Sequence, residues 1–219
     1  MKSIIVMNDL FTGITCGIVQ VIVGHPLDTI KTLSQNNINW KKLNFKNYYR
    51  GSKYQLPYAI TKNGIIFPSY KFAKKYTNSD FTAGLFSGLM ATPTQYIFDV
   101  AKIRKQTNKK LELKTFFKNK GKISVLNREV LAMGIFFKSY KYSKELNYNP
   151  SISGGISGFL TWSITYPLDV IRSRQISQNI KMTHAIKFGN LYKGLTPCLI
   201  RSIITNSAIW TVYEITQKD

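Results

Sequence analysis

His25-Pro26-Leu27-Asp28-Thr29-Ile30-Lys31 returns twice further along the chain, as Ile97-Phe98-Asp99-Val100-Ala101-Lys102 and as Tyr166-Pro167-Leu168-Asp169-Val170-Ile171-Arg172. Each copy places a base three residues after an acid. The acids stand 71 and 70 residues apart, so the motif divides 219 residues into near-equal thirds. A fixed period of this length marks one supersecondary unit stacked on its own copies. Other residue types keep the same register. Gly13 and Gly17 match Gly84 and Gly88, and then Gly154 and Gly158. Tyr49-Arg50-Gly51 matches Asn119-Lys120-Gly121 and Tyr192-Lys193-Gly194, followed at a constant 19 residues by Tyr70, Tyr140 and Tyr213. The repeats run over 1–76, 77–147 and 148–219, within one domain spanning 1–219.

Composition decides what surrounds these repeats. The formal charge is +21, yet only 19% of residues are charged and mean hydropathy is −0.13. A basic chain invites a nucleic-acid reading, but the bases cluster at the ends of each repeat rather than in one stripe. Between them run Ile4 to Gly24, Phe81 to Val100 and Ser151 to Ile171. About 20 residues give roughly 30 Å of helix, enough to cross a bilayer. Low hydropathy fits spans that keep polar faces toward a watery interior, and basic loops suit an anionic lipid surface. Nucleic acid is therefore not the expected partner.

Each third reads as a long helix, a short basic connector and a second helix. The first long helix is expected over Ile4 to Gln35, with Pro26 inside it. Pro167 stands at the same place in repeat three and Pro93 one turn earlier in repeat two, and each removes a helical hydrogen bond. Glycines four apart allow close helix approach. Second helices are expected over Ser52 to Lys75, Lys122 to Glu145 and Leu195 to Gln217. Cys16 and Cys198 read as small buried thiols. His25 and His184 lack the partners of a metal or catalytic site, so neither a metal nor any other cofactor is expected. No set of nucleophile and base converges, and the chain does not read as an enzyme. Abundant Lys, Asn, Ile, Tyr and Phe match the composition of AT-rich genomes, such as those of protists and large viruses.

Taken together, these motifs resemble the mitochondrial carrier family, whose pattern is Pro-x-acid-x-x-base on odd helices and aromatic-base-Gly before even ones. Pro26/Asp28/Lys31 and Pro167/Asp169/Arg172 match in full, and Asp99/Lys102 match without the proline. The resemblance covers essentially the whole chain. It implies an all-α membrane protein with six transmembrane helices in three tandem two-helix repeats, threefold pseudosymmetric. The implied setting is the mitochondrial inner membrane, where a monomer exchanges solutes by alternating access.

By the same resemblance, Asp28 with Lys102, Asp99 with Arg172 and Asp169 with Lys31 form a ring that closes the matrix side. Pairing is favoured because an unpaired charge inside a membrane costs about 2.5–3.5 kcal/mol on insertion scales. Gln35 and Gln106 match a glutamine that braces such pairs. The opposite, cytoplasmic gate is weaker, with Tyr70-Lys71-x-x-Lys74, Tyr140-Lys141-x-x-Lys144 and Tyr213-Glu214-x-x-Gln217. One bridge is expected there, Lys74 with Glu214. Connectors are shorter than the family's, at 25, 24 and 27 residues from motif proline position to tripeptide glycine. Arg50, Gly51, Lys193 and Gly194 match the lipid-headgroup tripeptide, with cardiolipin the implied lipid.

Seven residues after each tripeptide glycine lie the family's solute positions, here Tyr58, Arg128 with Glu129, and Arg201, with Lys62 one turn from Tyr58. Arginine forks match phosphate and carboxylate. The excess of positive charge points to small anionic solutes, nucleotides (deoxynucleotides included) first among them. The Arg128-Glu129 pair resembles carriers of amino acids, so an amino-acid or carboxylate solute is the alternative. A membrane scaffold without flux is a further alternative.

Overall fold

The computed structural model describes residues 2–202, 204 and 205, with the backbone alone for residues 2–17 and for 20, 56, 59, 60, 63, 150 and 151. Among the described residues the regular structure is helical, without strands. The long helices are α1 (Lys2–Gln35), α3 (Gln55–Lys74), α4 (Asp80–Gln106), α6 (Lys122–Glu145) and α7 (Pro150–Gln178). Residues 195–202 open a further helix. Each connector keeps a short helix: α2 (Phe45–Tyr48), α5 (Leu113–Lys118) and α8 (Met182–Lys187). The expected second helices of repeats one and two agree with α3 and α6. Most of the expected span Leu195 to Gln217 lies outside the described residues.

Local chemistry explains the boundaries. Ser79 caps α4 by accepting the Thr82 amide, and Asp80 in the first turn suits the positive end of the helix dipole. Asn149 caps α7 by accepting the Ile152 amide at 2.9 Å, with Pro150 opening the helix. After α1, α4 and α7 stand Asn37, Asn108 and Asn179 with φ of 57°, 56° and 55°. Asparagine tolerates this left-handed conformation, which ends a helix. These three lie 71 residues apart, so the repeat reaches into the helix stops. Pro26, Pro93 and Pro167 all sit inside unbroken helices.

Helix α3 packs on α4, α4 on α6, and α6 on α7. Glycine makes the α4–α6 contact close. A Cβ at Gly84 would lie 2.5 Å from the Met133 carbonyl oxygen, and one at Gly88 would lie 2.7 Å from that of Glu129. Among the described residues, nothing comes within 4 Å of a Cβ at Gly154 or Gly158, so close approach is seen in repeat two only. Gly51 and Gly194 have φ of 87° and 88°, and a Cβ there would meet the main-chain oxygens of Lys102 and Lys31 at 3.2 and 3.0 Å. Connector and neighbouring repeat thus interlock at positions that exclude a side chain.

Beside small apolar clusters, burial takes in many charged and polar groups. The interior holds Asp28, Lys31, Gln35, Ser87, Gln95, Asp99, Gln106, Arg128, Glu129, Asp169, Arg172 and Arg174, while Leu89, Ile97, Phe159, Leu160 and Ile164 face outward. Soluble proteins bury charge rarely. Among the described residues, no helix is long and apolar enough to cross a membrane by hydropathy alone. The cause is visible on α4, whose buried face carries Ser87, Gln95, Asp99 and Gln106 and lowers its average.

Candidate functional site

The acids and bases of the three motif copies lie near the C-terminal ends of α1, α4 and α7 and meet there. Lys31 Nζ is 2.7 Å from Asp169 Oδ2, Lys102 Nζ is 3.0 Å from Asp28 Oδ2, and Arg172 pairs with Asp99. Each of these pairs joins two different helices of the trio. Arg172 also reaches Asp169 of its own helix at 2.7 Å. Truncating one partner of a buried pair costs about 3–5 kcal/mol, because the other charge is left without compensation.

The glutamines differ. Gln35 donates to Asp169 Oδ2 at 2.9 Å, beneath the Lys31 pair. Gln106 instead donates to Thr29 Oγ1 at 3.1 Å and is placed on no carboxylate. Two glutamines that the repeat did not single out serve the acids directly. Gln55 donates to Asp28 at 3.0 Å and Gln95 donates to Asp99 at 2.8 Å. Beyond the ring lies a buried polar layer. There Asn36 donates to Ser173 at 2.9 Å, Ser124 bonds Gln175, and Asn119 donates to the Ile176 carbonyl at 3.1 Å.

Tyr58, Lys62, Arg128, Glu129 and Arg201 join the same network. Lys62 Nζ is 2.7 Å from Glu129 Oε1, and Arg128 is 2.7 Å from Glu129 Oε2. Arg128 Nε stands 3.6 Å from Asp169, and Arg201 Nε stands 3.0 Å from Asp28. The arginines are therefore paired with acids in this state, two of which belong to the ring. Tyr58 bonds Gln95 and packs on Phe98 with 5.8 Å between ring centroids, while Lys62 lies 5.5 Å from the Tyr58 centroid. Trp162, which sequence reasoning missed, receives Lys31 at 4.2 Å and Arg128 at 4.8 Å on its ring. Cation–π contact of this kind stabilises a charge away from water.

A charge balance follows from these contacts. Lys31, Lys102, Arg172 and Lys62 match Asp169, Asp28, Asp99 and Glu129 one to one. Arg128 and Arg201 remain as second or third cations on carboxylates already paired. Withdrawing either arginine leaves every one of these acids with a partner.

At the other end of the helices Lys74 pairs with Asp80 at 2.9 Å and donates to the Asn78 carbonyl at 2.8 Å. Tyr70 also bonds Asp80 and stacks on Phe137 at 3.9 Å. Glu214, the expected partner of Lys74, lies outside the described residues. Lys193 is tied to Asn37 at 2.6 Å, and His25 Nε2 donates to the Arg50 carbonyl, 3.0 Å away. Arg174, in register with Arg104 of repeat two, was not singled out by sequence reasoning. It is fully buried and donates to the carbonyls of Gln35, Ala185, Gly189 and Asn190, binding α8 and the end of α1 to α7. Among the described residues, no group of His, Cys, Asp and Glu is arranged to hold a metal ion.

The chain is similar in sequence to known proteins. The profile of the family described as Mitochondrial carrier protein matches residues 144–218. Mitochondrial ornithine transporter 1 of Rattus norvegicus is 26% identical over an alignment covering 96% of this chain and 93% of that protein. Mitochondrial substrate carrier family protein S of Dictyostelium discoideum is 26% identical, with 97% of each chain covered. The mitochondrial carnitine/acylcarnitine carrier protein of Homo sapiens is 24% identical over 99% of this chain and 95% of its own. These alignments run over 278 to 288 residues against 219 here, so the relatives contain segments this chain lacks. With the motif in triplicate and similarity along nearly the whole length, the chain is similar to proteins of the mitochondrial carrier family, whose members are transporters and not enzymes.

Proposed function

We propose that the chain is a six-helix carrier of the mitochondrial inner membrane that exchanges small anionic solutes by alternating access. Its repeats, 1–76, 77–147 and 148–219, are arranged with threefold pseudosymmetry. Buried charge together with large exposed apolar side chains supports a lipid surround. The ring of Asp28, Lys31, Asp99, Lys102, Asp169 and Arg172 closes one side and opens in each cycle. Lipid headgroups bind at the tripeptides of Arg50-Gly51 and Lys193-Gly194.

One observation carries the choice of solute. Arg128 and Arg201 are surplus cations, and an incoming anion can take both without stripping any acid of its last partner. Because Arg201 rests on Asp28 and Arg128 on Asp169, the solute draws on charges that also brace the ring. A solute with about two negative charges neutralises the excess, and arginine forks fit phosphate. Nucleotides are the first such class. The amino-acid reading draws on Glu129, which already accepts two cations and can accept a substrate amine in place of Lys62. The relatives named for ornithine and for carnitine/acylcarnitine add weight to it.

The test is counter-exchange in liposomes holding purified protein, with one internal solute at a time. Uptake of labelled nucleotide driven by internal nucleotide supports the anion assignment. Exchange of amino acids alone transfers the site to Glu129 and removes the nucleotide reading. Insertion with no flux of any solute favours a scaffold.

A further inference from the structure

Beyond the ring, where α1, α4 and α7 end, a cavity of about 710 Å³ opens against α5. Its size falls in the ordinary range for small-molecule sites, about 300–1,000 Å³. Among the described residues, Arg104, Lys109, Lys114 and Lys118 line it, and no carboxylate does. Arg104 is fixed in place by the carbonyls of Lys110, at 2.8 Å, and Ile176, at 3.4 Å. Ser177 also lines the cavity. It is 2% exposed, and its hydroxyl has no hydrogen-bond partner. A buried hydroxyl without a partner costs free energy that a ligand acceptor can recover. Asn36 Oδ1, likewise buried on the lining and without a partner, suits the hydroxyl of a protonated phosphate.

This cavity is separate from the central cluster. Ser177 lies five residues beyond Arg172, roughly 7.5 Å of helix rise. The Asn36–Ser173 and Ser124–Gln175 hydrogen bonds fill the layer between.

We propose that the cavity is a second anion site, which takes a phosphate-bearing ligand by Arg104, Lys109, Lys114, Lys118 and Ser177. Its walls come from α4, α5, α7 and the segment that directly follows α1. A ligand bridging α5 and α4 to the end of α7 holds those ends together and opposes their separation. Occupancy therefore slows exchange, whatever solute the central site carries.

The probe is pyrophosphate, titrated calorimetrically against purified full-length protein in detergent. Binding is expected in the wild type and in the Arg128→Ala/Arg201→Ala variant. It should weaken at least tenfold in Lys114→Gln/Lys118→Gln, whose side chains are exposed and lie outside the central cluster. Ser177→Ala should weaken it less. Vesicles separate the two sources of phosphate. Slowing of exchange by pyrophosphate in pure phosphatidylcholine vesicles identifies a free anion. Slowing only by anionic phospholipid in the bilayer identifies a headgroup. Either effect must be lost in Lys114→Gln/Lys118→Gln. Equal responses of wild type and that variant, or loss of pyrophosphate binding in Arg128→Ala/Arg201→Ala, would overturn the proposal.

Discussion

Among the described residues, the two ends of the helix bundle are held by different physics. At the C-terminal ends of α1, α4 and α7, three ion pairs between helices are buried, served by Gln35, Gln55 and Gln95 and joined by Arg128 and Arg201. At the opposite end, Lys74–Asp80 is a partly exposed pair, Lys141–Glu145 is more exposed still, and Tyr70 stacks on Phe137. Buried pairs are costly to break from one side, whereas exposed pairs contribute little, about 0–1 kcal/mol. The first end is therefore a charge lock that needs a competing charge to open it. The second, among the described residues, is held by aromatic contact and exposed charge, which a solute need not neutralise.

The strongest way to break this contrast is at Asp169, which carries Lys31, Arg172, Arg128 and Gln35. Asp169→Ala should cost on the order of 3–5 kcal/mol of stability and remove exchange, as read by thermal unfolding and liposome flux. If it unfolds no more easily than Lys74→Ala, the lock is not electrostatic. Asp28→Lys should also abolish flux. Its reversal by Lys102→Asp should be partial, because Arg201 would then face an ammonium group rather than the carboxylate of Asp28. Full recovery in the swapped protein would show that Arg201 does not depend on Asp28.

Arg174 offers an intermediate effect at the same end. Arg174→Ala leaves the carbonyls of Gln35, Ala185, Gly189 and Asn190 without their donor, and each hydrogen bond to a charged group is worth about 1.5–3 kcal/mol. A clear drop in unfolding temperature is expected, with solute affinity unchanged in protein that remains folded. Smallest of all, Lys74→Ala should cost less than about 1 kcal/mol. Raising the salt concentration should shrink that difference further, since exposed charges are screened. A large loss for Lys74→Ala would place a true lock at both ends.

Much of the ring end was legible beforehand, because one motif in three copies marks its acids and bases and the family resemblance supplies their pairing. The stops of α1, α4 and α7 were equally readable, since Asn37, Asn108 and Asn179 recur at the same period, although they fall outside the motif. Gln55 and Gln95 escaped notice for the opposite reason. The positions of Gln95 in the other copies are Gly24 and Thr165, so no repetition marks it. Arg201 on Asp28 and Arg128 on Asp169 depend on how helices from different repeats face one another, which periodicity does not encode. The same holds for Arg174, whose partners are main-chain carbonyls and carry no side-chain signature. At the other end, Asp80 opens α4 as a first-turn acid and takes Lys74 from a different repeat unit, outside any motif. Weak repetition there reflects the weaker constraint that aromatic packing imposes.

The central claim is that Arg128 and Arg201 are surplus to the ring and serve the solute. Its most direct test is nucleotide counter-exchange by wild type, Arg128→Ala, Arg201→Ala and the double variant, each at matched insertion into liposomes. Each single variant is predicted to lose at least tenfold in exchange while its folded bundle and membrane insertion persist, because every ring acid keeps another cation. Unchanged exchange in the double variant, or loss of insertion in the single ones, would contradict it.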